Sequence, residues 1–244
     1  MDAILLAAGY ATRLYPLTEN MPKPLLNVAG KPIIEHIIKK LNEVKSIGKI
    51  YIVTNDRFNG HFKNWMKSFE AEKPIEIIND STASNEDRLG ALGDVNYAIN
   101  EKSIDDEIMV IAGDNLFELS LNDVVSLFKK IKSSVIVLHD VKDFELAKHY
   151  GIVEVSNSIV AGFEEKPDIP KSTLASTGIY LFPKKTIPLI KKYIAQGNSP
   201  DKTGSFIEWL HKRETVYSYV TDKKWYDIGN IEQLEKANRH YGQK

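Results

Sequence analysis

The chain has 244 residues, is 43% hydrophobic and 27% charged, and carries 14 Gly and 10 Pro, a balance that excludes disorder and collagen-like structure. Its 32 Lys and Arg against 33 Asp and Glu leave a formal charge of −1, which supplies no global field for gripping a nucleic-acid backbone, so no nucleic-acid partner is expected. With no Cys, disulfides, thiolate metal sites and thiol nucleophiles are excluded together, and a reducing cytoplasm is the expected compartment.

Residues 3–8 (AILLAA) form a short continuous apolar run that ends at Gly9, as a fully buried parallel strand does. It is far shorter than a membrane span, and Asp2 ahead of it does not fit a signal peptide. A soluble cytoplasmic protein with no membrane partner is expected. Pro32 opens a stretch with apolar residues at Ile33, Ile34, Ile37, Ile38, Leu41 and Val44, one face of a helix with Pro in its first turn. Residues 49–54 read as a strand, 58–69 as a helix, 74–79 as a strand, 89–99 as a helix and 107–112 as a buried strand ending at Gly113-Asp114. Strand alternating with helix predicts an α/β fold with a doubly wound, mostly parallel mixed sheet and helices on both faces, its ligand crevice beyond the strand C-termini.

The pattern changes after about residue 133. Residues 134–139, 151–155, 159–163 and 175–182 are strand-like, with Asn157-Ser158 as a turn between two of them. Helices follow at 184–195 and 204–212, then a strand at 215–220 and a helix at 231–241. No repeat or linker interrupts this, so residues 1–244 read as one domain with a nucleotide-binding half to about 133 and a ligand-shaping half from about 134.

The first strand runs into Gly9-Tyr10-Ala11-Thr12-Arg13-Leu14, and Lys23 stands between Pro22 and Pro24. A tight turn after a buried strand exposes backbone N–H groups to phosphate oxygens, with Arg13 as a planar fork and Lys23 as a point charge. From residue types alone a loop with two solvated cations is equally natural. Neither a dinucleotide fingerprint nor a Walker loop is present. The six His show no i,i+4 pair, and no Gly-x-Ser-x-Gly elbow occurs, so neither zinc nor serine-hydrolase chemistry is expected.

Residues 6–18 (LAAGYATRLYPLT) followed by 21–25 (MPKPL) resemble the signature of the sugar-1-phosphate nucleotidyltransferases. Similar segments follow in that family's order: Ala112-Gly113-Asp114-Asn115, Tyr150-Gly151-Ile152-Val153-Glu154, Phe163-Glu164-Glu165-Lys166-Pro167, Ser176-Thr177-Gly178-Ile179-Tyr180 and Trp225-Tyr226-Asp227-Ile228-Gly229. The resemblance implies the Rossmann-like fold of that family and transfer of a nucleotidyl group from a nucleoside triphosphate to a sugar-1-phosphate. It assigns nucleotide contacts to Leu6, Ala7, Ala8, Gly9, Ala11, Thr12, Arg13 and Lys23, with Leu89 and Gly90 over the base. Arg13, Lys23 and Asp114 become the catalytic set, and Asp114 and Asp227 the ligands of Mg²⁺, a cation that prefers hard carboxylates plus phosphate oxygens. Asn115, Tyr150, Gly151, Glu165, Lys166, Thr177 and Gly178 become the sugar-phosphate contacts. Taken singly, Asp114 also reads as a turn residue, Asp227 as a helix cap, and Glu165-Lys166-Pro167 as a charged turn.

Two departures stand out. Ala11 occupies a position commonly Gly in this loop, and the stretch 79–93 (NDSTASNEDRLGALG) lacks the Gln that thymidylyltransferases use on the pyrimidine; Arg88 there is a candidate phosphate contact. The favoured reading is dTTP or UTP with a hexose-1-phosphate. The alternatives are a cytidylyltransferase for inositol or alditol phosphate and a non-catalytic sugar-nucleotide-binding regulatory subunit. The chain stops soon after Asp227, so a minimal catalytic domain without the relatives' C-terminal β-helix is expected; a homo-oligomer is left open.

Overall fold

The structure is a computed structural model that describes residues 1–243. In chain order the first elements are β1 (Asp2–Leu6), β2 (Asn27–Val28), β3 (Lys31–Pro32), α1 (Ile33–Asn42), β4 (Ile50–Thr54), α2 (Asp56–Met66), β5 (Ile75–Asn79) and α3 (Ala91–Glu101). Next come β6 (Ile108–Ala112), β7 (Asn115–Phe117), α4 (Leu121–Ile131), β8 (Ser134–Asp140), α5 (Phe144–Ala147), β9 (Gly151–Ser156), β10 (Ile159–Glu165) and β11 (Leu174–Phe182). The chain closes with α6 (Ile187–Ala195), α7 (Thr203–Leu210), β12 (Val216–Thr221), β13 (Trp225–Asp227) and α8 (Ile231–Tyr241).

Nine strands make one sheet in the order β5-β4-β1-β6-β11-β8-β12-β10-β9. The first four are parallel, β8 and β12 are parallel to each other, and β11 enters antiparallel between β6 and β8. The α/β class, with helices on both faces of a mixed sheet, is as the alternating pattern predicts. Because β1 is flanked on both edges, its successive residues alternate between two cores. Ala3, Leu5 and Ala7 join the cluster under α1, α2, α4 and α8, whereas Ile4 joins the one under α3, α6 and α7. That two-sided burial explains why the strand is apolar throughout instead of alternating.

Besides the two-residue strands β2 and β3 and the single turn α5, three elements lie outside the sequence-based assignment. Helix α4 buries Leu121, Val124, Val125 and Phe128, an ordinary three- and four-residue periodicity. The other two, β7 and β13, pair with each other as a separate antiparallel ribbon, Asn115 opposite Asp227. Three residues are too few for a period to show.

The chain reverses direction across the sheet at β1: it runs outward through β4 and β5, then returns to place β6 on the other side of β1. Crevices open beyond the strand ends at such a point. Here the turn after β1 meets the turn after β6, and Asn55 supports the pair from β4. Fully buried, Asn55 donates Nδ2 to the Ala8 carbonyl at 2.8 Å, while its Oδ1 caps α2 by accepting from the Phe58 amide at 2.9 Å. Asn55→Ala removes the cap and leaves the Ala8 carbonyl without its partner. Urea unfolding should show a loss of about 2–3 kcal/mol.

Candidate active site

After β1 the backbone passes through Ala7, Ala8 and Gly9 into Ala11, a residue with φ of 48°. This left-handed conformation strains a residue bearing Cβ and favours glycine. Thr18 steadies the turn by donating Oγ1 to the Ala11 carbonyl at 2.8 Å. Thr12, Arg13 and Leu14 follow in a short 3₁₀ turn.

The turn after β6 is pressed directly against this loop. Gly113 donates its amide to the Leu6 carbonyl at 2.9 Å, and a Cβ at 113 would lie 2.6 Å from that oxygen. Only glycine permits that approach, and it brings Asp114 to the phosphate-loop side. The β7–β13 ribbon then delivers Asp227: Asn115 and Asp227 are paired, and the Ile228 amide donates to the Asp114 carbonyl at 3.2 Å. Lys23 arrives from the opposite side, its Nζ 2.6 Å from Asp114 Oδ2 and 2.6 Å from the Ile228 carbonyl. Asp227 is no helix cap, because Asn230 caps α8 by accepting from the Gln233 amide at 2.9 Å.

Burial, and after it the charge of Asp114, push the Asp227 carboxyl up to about 6, against the pull of Lys23, Lys166 and Arg13. Two carboxylates held close enough to oppose each other's ionisation form a site that favours cations, and hard oxygen donors suit Mg²⁺. Among the described residues no group of three or more His, Asp or Glu side chains is arranged to hold a metal. A cation on Asp114 and Asp227 therefore needs further oxygens from water or from a phosphate-bearing ligand.

Two adjoining cavities share Ala11, Lys23 and Asp114. One, of about 280 Å³, is walled by Thr12, Arg13, Leu14, Asp227 and Gly229 as well. The other, of about 320 Å³, extends along Leu6, Ala7, Ala8 and Gly9 to Arg88, Gly90, Ala91, Asp94 and Asp201. A larger cavity of about 680 Å³ beside α1 contains none of the residues expected to contact nucleotide, metal or sugar phosphate.

Several expected contacts are placed differently. Leu89 is off the wall of the second cavity, where Arg88, Gly90 and Ala91 stand instead; its Cβ packs against Gly93, leaving 2.9 Å for a Cβ there. Arg88 is held by Asp201, Nη2 to Oδ1 3.1 Å. Thr177 is fully buried and spends its hydroxyl on the Val137 carbonyl at 3.0 Å. The Asn115 amide is also occupied, donating to Asp114 Oδ1 at 2.9 Å and accepting from Trp225 Nε1 at 3.0 Å, so it orients the carboxylate.

The remaining expected sugar-side residues wall neither of the two cavities. Lys166, with φ of 52°, is near enough to act on the Asp227 charge. Its amide donates to the Tyr150 carbonyl at 2.9 Å, and the Tyr150 ring meets Trp225 edge-on at 5.1 Å. Glu165 faces Lys202 at 3.4 Å. A Cβ at 151 would lie 2.6 Å from the tip of the Phe163 ring, which would have to move, while 178 favours glycine outright, with φ of 75° and 2.8 Å to the Ala112 Cβ. Sequence reasoning did not single out Asp80, Asp94 or Asp201, because acidic residues in a polar loop or on a helix carry no distinguishing local pattern.

Comparison with known proteins bears on the family and the fold. The nucleotidyl transferase family model matches residues 2–244. The "Bifunctional protein GlmU" of Methanocaldococcus jannaschii is 33% identical over 246 residues, covering 98% of this chain and 54% of that protein. The UTP–glucose-1-phosphate uridylyltransferase of Synechocystis sp. is 28% identical over 255 residues, covering 98% of this chain and 63% of that one. The chain thus spans about half to two thirds of the length of these curated relatives. Among solved structures, a Bacillus anthracis chain provisionally assigned as a glucose-1-phosphate thymidylyltransferase superposes with a TM-score of 0.83 at 26% identity, covering 100% of this chain and 96% of that one.

The raised Asp227 carboxyl has a consequence for stability. Protonation favours the folded state, so stability falls as pH rises from the ordinary value of 3.8 through about 6. Asp227→Asn removes the opposed charge at nearly constant size. It should raise the unfolding free energy at neutral pH by about 1–3 kcal/mol, and the gain should vanish below about pH 4, as read by urea titrations at the two pH values.

Proposed function

The chain belongs to the nucleotidyl transferase family, and from that premise we propose that it joins a nucleoside triphosphate to a sugar-1-phosphate, giving a nucleotide sugar and pyrophosphate. dTTP or UTP with a hexose-1-phosphate is the favoured pair. The observation that carries this reading is the meeting of a strained phosphate-type loop, one lysine and two opposed carboxylates at the junction of two cavities. The names of the relatives, a uridylyltransferase and a thymidylyltransferase for glucose-1-phosphate among them, support the substrate class.

In this reading residues 1–133 hold the nucleotide and residues 134–244 the sugar phosphate. Leu6, Ala7 and Ala8 line the nucleoside, Gly90 and Ala91 close over the base, and the loop from Gly9 to Arg13 receives the phosphates. Asp201, from the second half, also reaches the nucleotide side. Lys166, Glu165 and Tyr150, with the close-packed Gly151 and Gly178, shape the sugar-phosphate side.

An oxygen of the sugar-1-phosphate attacks the α-phosphorus; the new P–O bond forms as the bond to the bridging oxygen of the β-phosphate breaks, and pyrophosphate leaves. The nucleophile is already anionic, so the chain needs no general base, and its task is alignment and charge neutralisation. Arg13 and Lys23 offset the charge growing on pyrophosphate, and Lys166 faces the incoming phosphate. Asn115 keeps Asp114 turned toward the junction. Mg²⁺, held by Asp114 and Asp227, supplies electrophilic charge stabilisation when bound.

Pyrophosphate release measured with Mg²⁺ across dTTP, UTP, CTP, GTP and ATP against glucose-1-phosphate, other hexose-1-phosphates, inositol-1-phosphate and phosphocholine tests the reading. Activity confined to dTTP or UTP with a hexose-1-phosphate is expected; activity confined to CTP with inositol phosphate would transfer the assignment to the cytidylyl alternative. Lys23→Ala and Asp227→Ala should each lower turnover by about 100-fold or more. The same variants should melt within a few degrees of the parent (about 1–2 kcal/mol). Either variant turning over like the parent removes that residue from the catalytic set.

A further inference from the structure

Two unlike groups of residues wall the nucleotide-side cavity: Gly9, Ala11 and Lys23, and a second group of Arg88, Ala91, Asp94 and Asp201, held together by the Ala91 amide on the Asp201 carbonyl and by the Arg88–Asp201 pair. A triphosphate laid with its phosphates on the loop and the lysine leaves the second group to its base. There Arg88 and Asp201 neutralise each other, Nη2 to Oδ1 3.1 Å. Asp94 has no such partner. It lies in the first turn of α3, is 6% exposed, and its Oδ1 is sealed from solvent without a hydrogen-bond partner.

Behind it stands another acid, Asp80 at the end of β5, 4% exposed, whose Oδ2 is equally sealed and unpartnered. The two carboxyls are within hydrogen-bonding reach of each other. Two ionised carboxylates at that separation repel, whereas one shared proton makes the contact a hydrogen bond. The proton belongs on Asp94. Asp80 Oδ1 already accepts from the Thr82 amide and from Thr82 Oγ1, both at 2.8 Å, which favours its charge. Asp94 has no such donors; burial and the Asp80 charge push it up to about 8. Asp87, whose carboxylate accepts from the Ala83 and Ser84 amides, also acts on Asp80, and the Asp80 charge acts on Tyr10, whose hydroxyl donates to the Thr82 carbonyl; Glu86 and Asp56 stand on the same loop and the adjoining helix. Arg57 acts on Tyr10, and the Arg88–Asp201 pair closes the cavity side.

We propose that Asp94 reads the base of the nucleotide: its neutral carboxyl keeps its proton, donates it in a hydrogen bond to Asp80, and turns the remaining oxygen to the cavity as the acceptor for a base N–H. In the dTTP or UTP reading that donor is the pyrimidine imide N–H. An uncharged acceptor is the form of an acid compatible with a neighbouring polyanion, since a second ionised carboxylate would repel the triphosphate. This inference rests on the nucleotide reading of the cavity.

Calorimetric titration with UTP, dTTP and 3-methyl-UTP tests it on the wild-type chain, Asp94→Asn and Asp94→Ala. Asp94→Asn donates an amide proton to Asp80 and leaves a carbonyl toward the cavity, so it should bind as the wild type does. It should also hold its affinity near about pH 9, where the wild type weakens several-fold as Asp94 ionises. Asp94→Ala should bind UTP or dTTP about tenfold or more weakly and lose the discrimination of about tenfold or more against 3-methyl-UTP that the wild type shows. Wild-type affinity and discrimination in Asp94→Ala, or a loss in Asp94→Asn as large as in Asp94→Ala, would overturn the proposal. A wild-type chain that binds neither UTP nor dTTP would instead defeat the pyrimidine-nucleotide reading, and the proposal with it. If Asp94→Ala does not fold, the Asp94→Asn pH profile and the 3-methyl comparison decide the matter alone.

Discussion

Where β1 and β6 end, the Gly113 amide donates to the Leu6 carbonyl at 2.9 Å, and a side chain at 113 would sit 2.6 Å from that oxygen. This backbone contact sets the distance between the loop that follows one strand and the carboxylate that follows the other. The candidate site is arranged around it. Asp114 is brought up to Ala11 and Lys23, the β7–β13 ribbon adds Asp227, and Lys23 ties the ribbon to the loop through Asp114 and the Ile228 carbonyl. The parallel pairing of β1 with both neighbours makes the contact rigid, because the strand is packed into core on each face.

The site works against the stability that this scaffold supplies. Ala11 and Lys166 hold left-handed backbone angles, each costing about 1–2 kcal/mol, and the half-buried Asp227 and the buried Asp94 are acids whose ionisation is opposed by a like charge. Unfavourable features of this kind persist where the surrounding structure over-determines them, and they concentrate at functional sites. The two acid pairs solve their problem in different ways. Asp114 and Asp227 have cations around them, with Lys23, Lys166 and Arg13 all acting on Asp227. Asp80 and Asp94 have a bed of hydrogen bonds from Thr82 beneath one member and only a shared proton for the other. A cation-seeking pair and a proton-sharing pair thus stand along the same two adjoining cavities.

Legibility in the sequence followed the length scale of the physics. Buried strands and amphipathic helices announce themselves over five or more residues, and α4 carried the same signal in Leu121, Val124, Val125 and Phe128. The ribbon of β7 and β13 did not, since three-residue strands have no period and exist only because each finds the other across more than a hundred residues of chain. Among the site residues, the loop from Gly9 to Arg13, Lys23, Asp114 and Asp227 are brought to one junction. Thr177 and Asn115 belong to matching segments, yet their polar groups are taken up by Val137, Asp114 and Trp225. A motif specifies residue types, whereas hydrogen-bond partners are settled by packing.

What the sequence determined by itself is therefore the α/β class, the placement of a phosphate-type loop after a buried strand, and the identity of the residues that carry charge to it. These follow from local periodicity, turn chemistry and residue type. Tertiary structure alone decided which of those charges meet. It set Asp227 against Asp114, freed neither Thr177 nor Asn115 for a ligand, locked Arg88 onto Asp201, and buried Asp94 against Asp80. Ionisation, hydrogen bonding and cavity shape depend on groups far apart in the chain, and only the folded sheet brings them within the few ångströms over which such forces act.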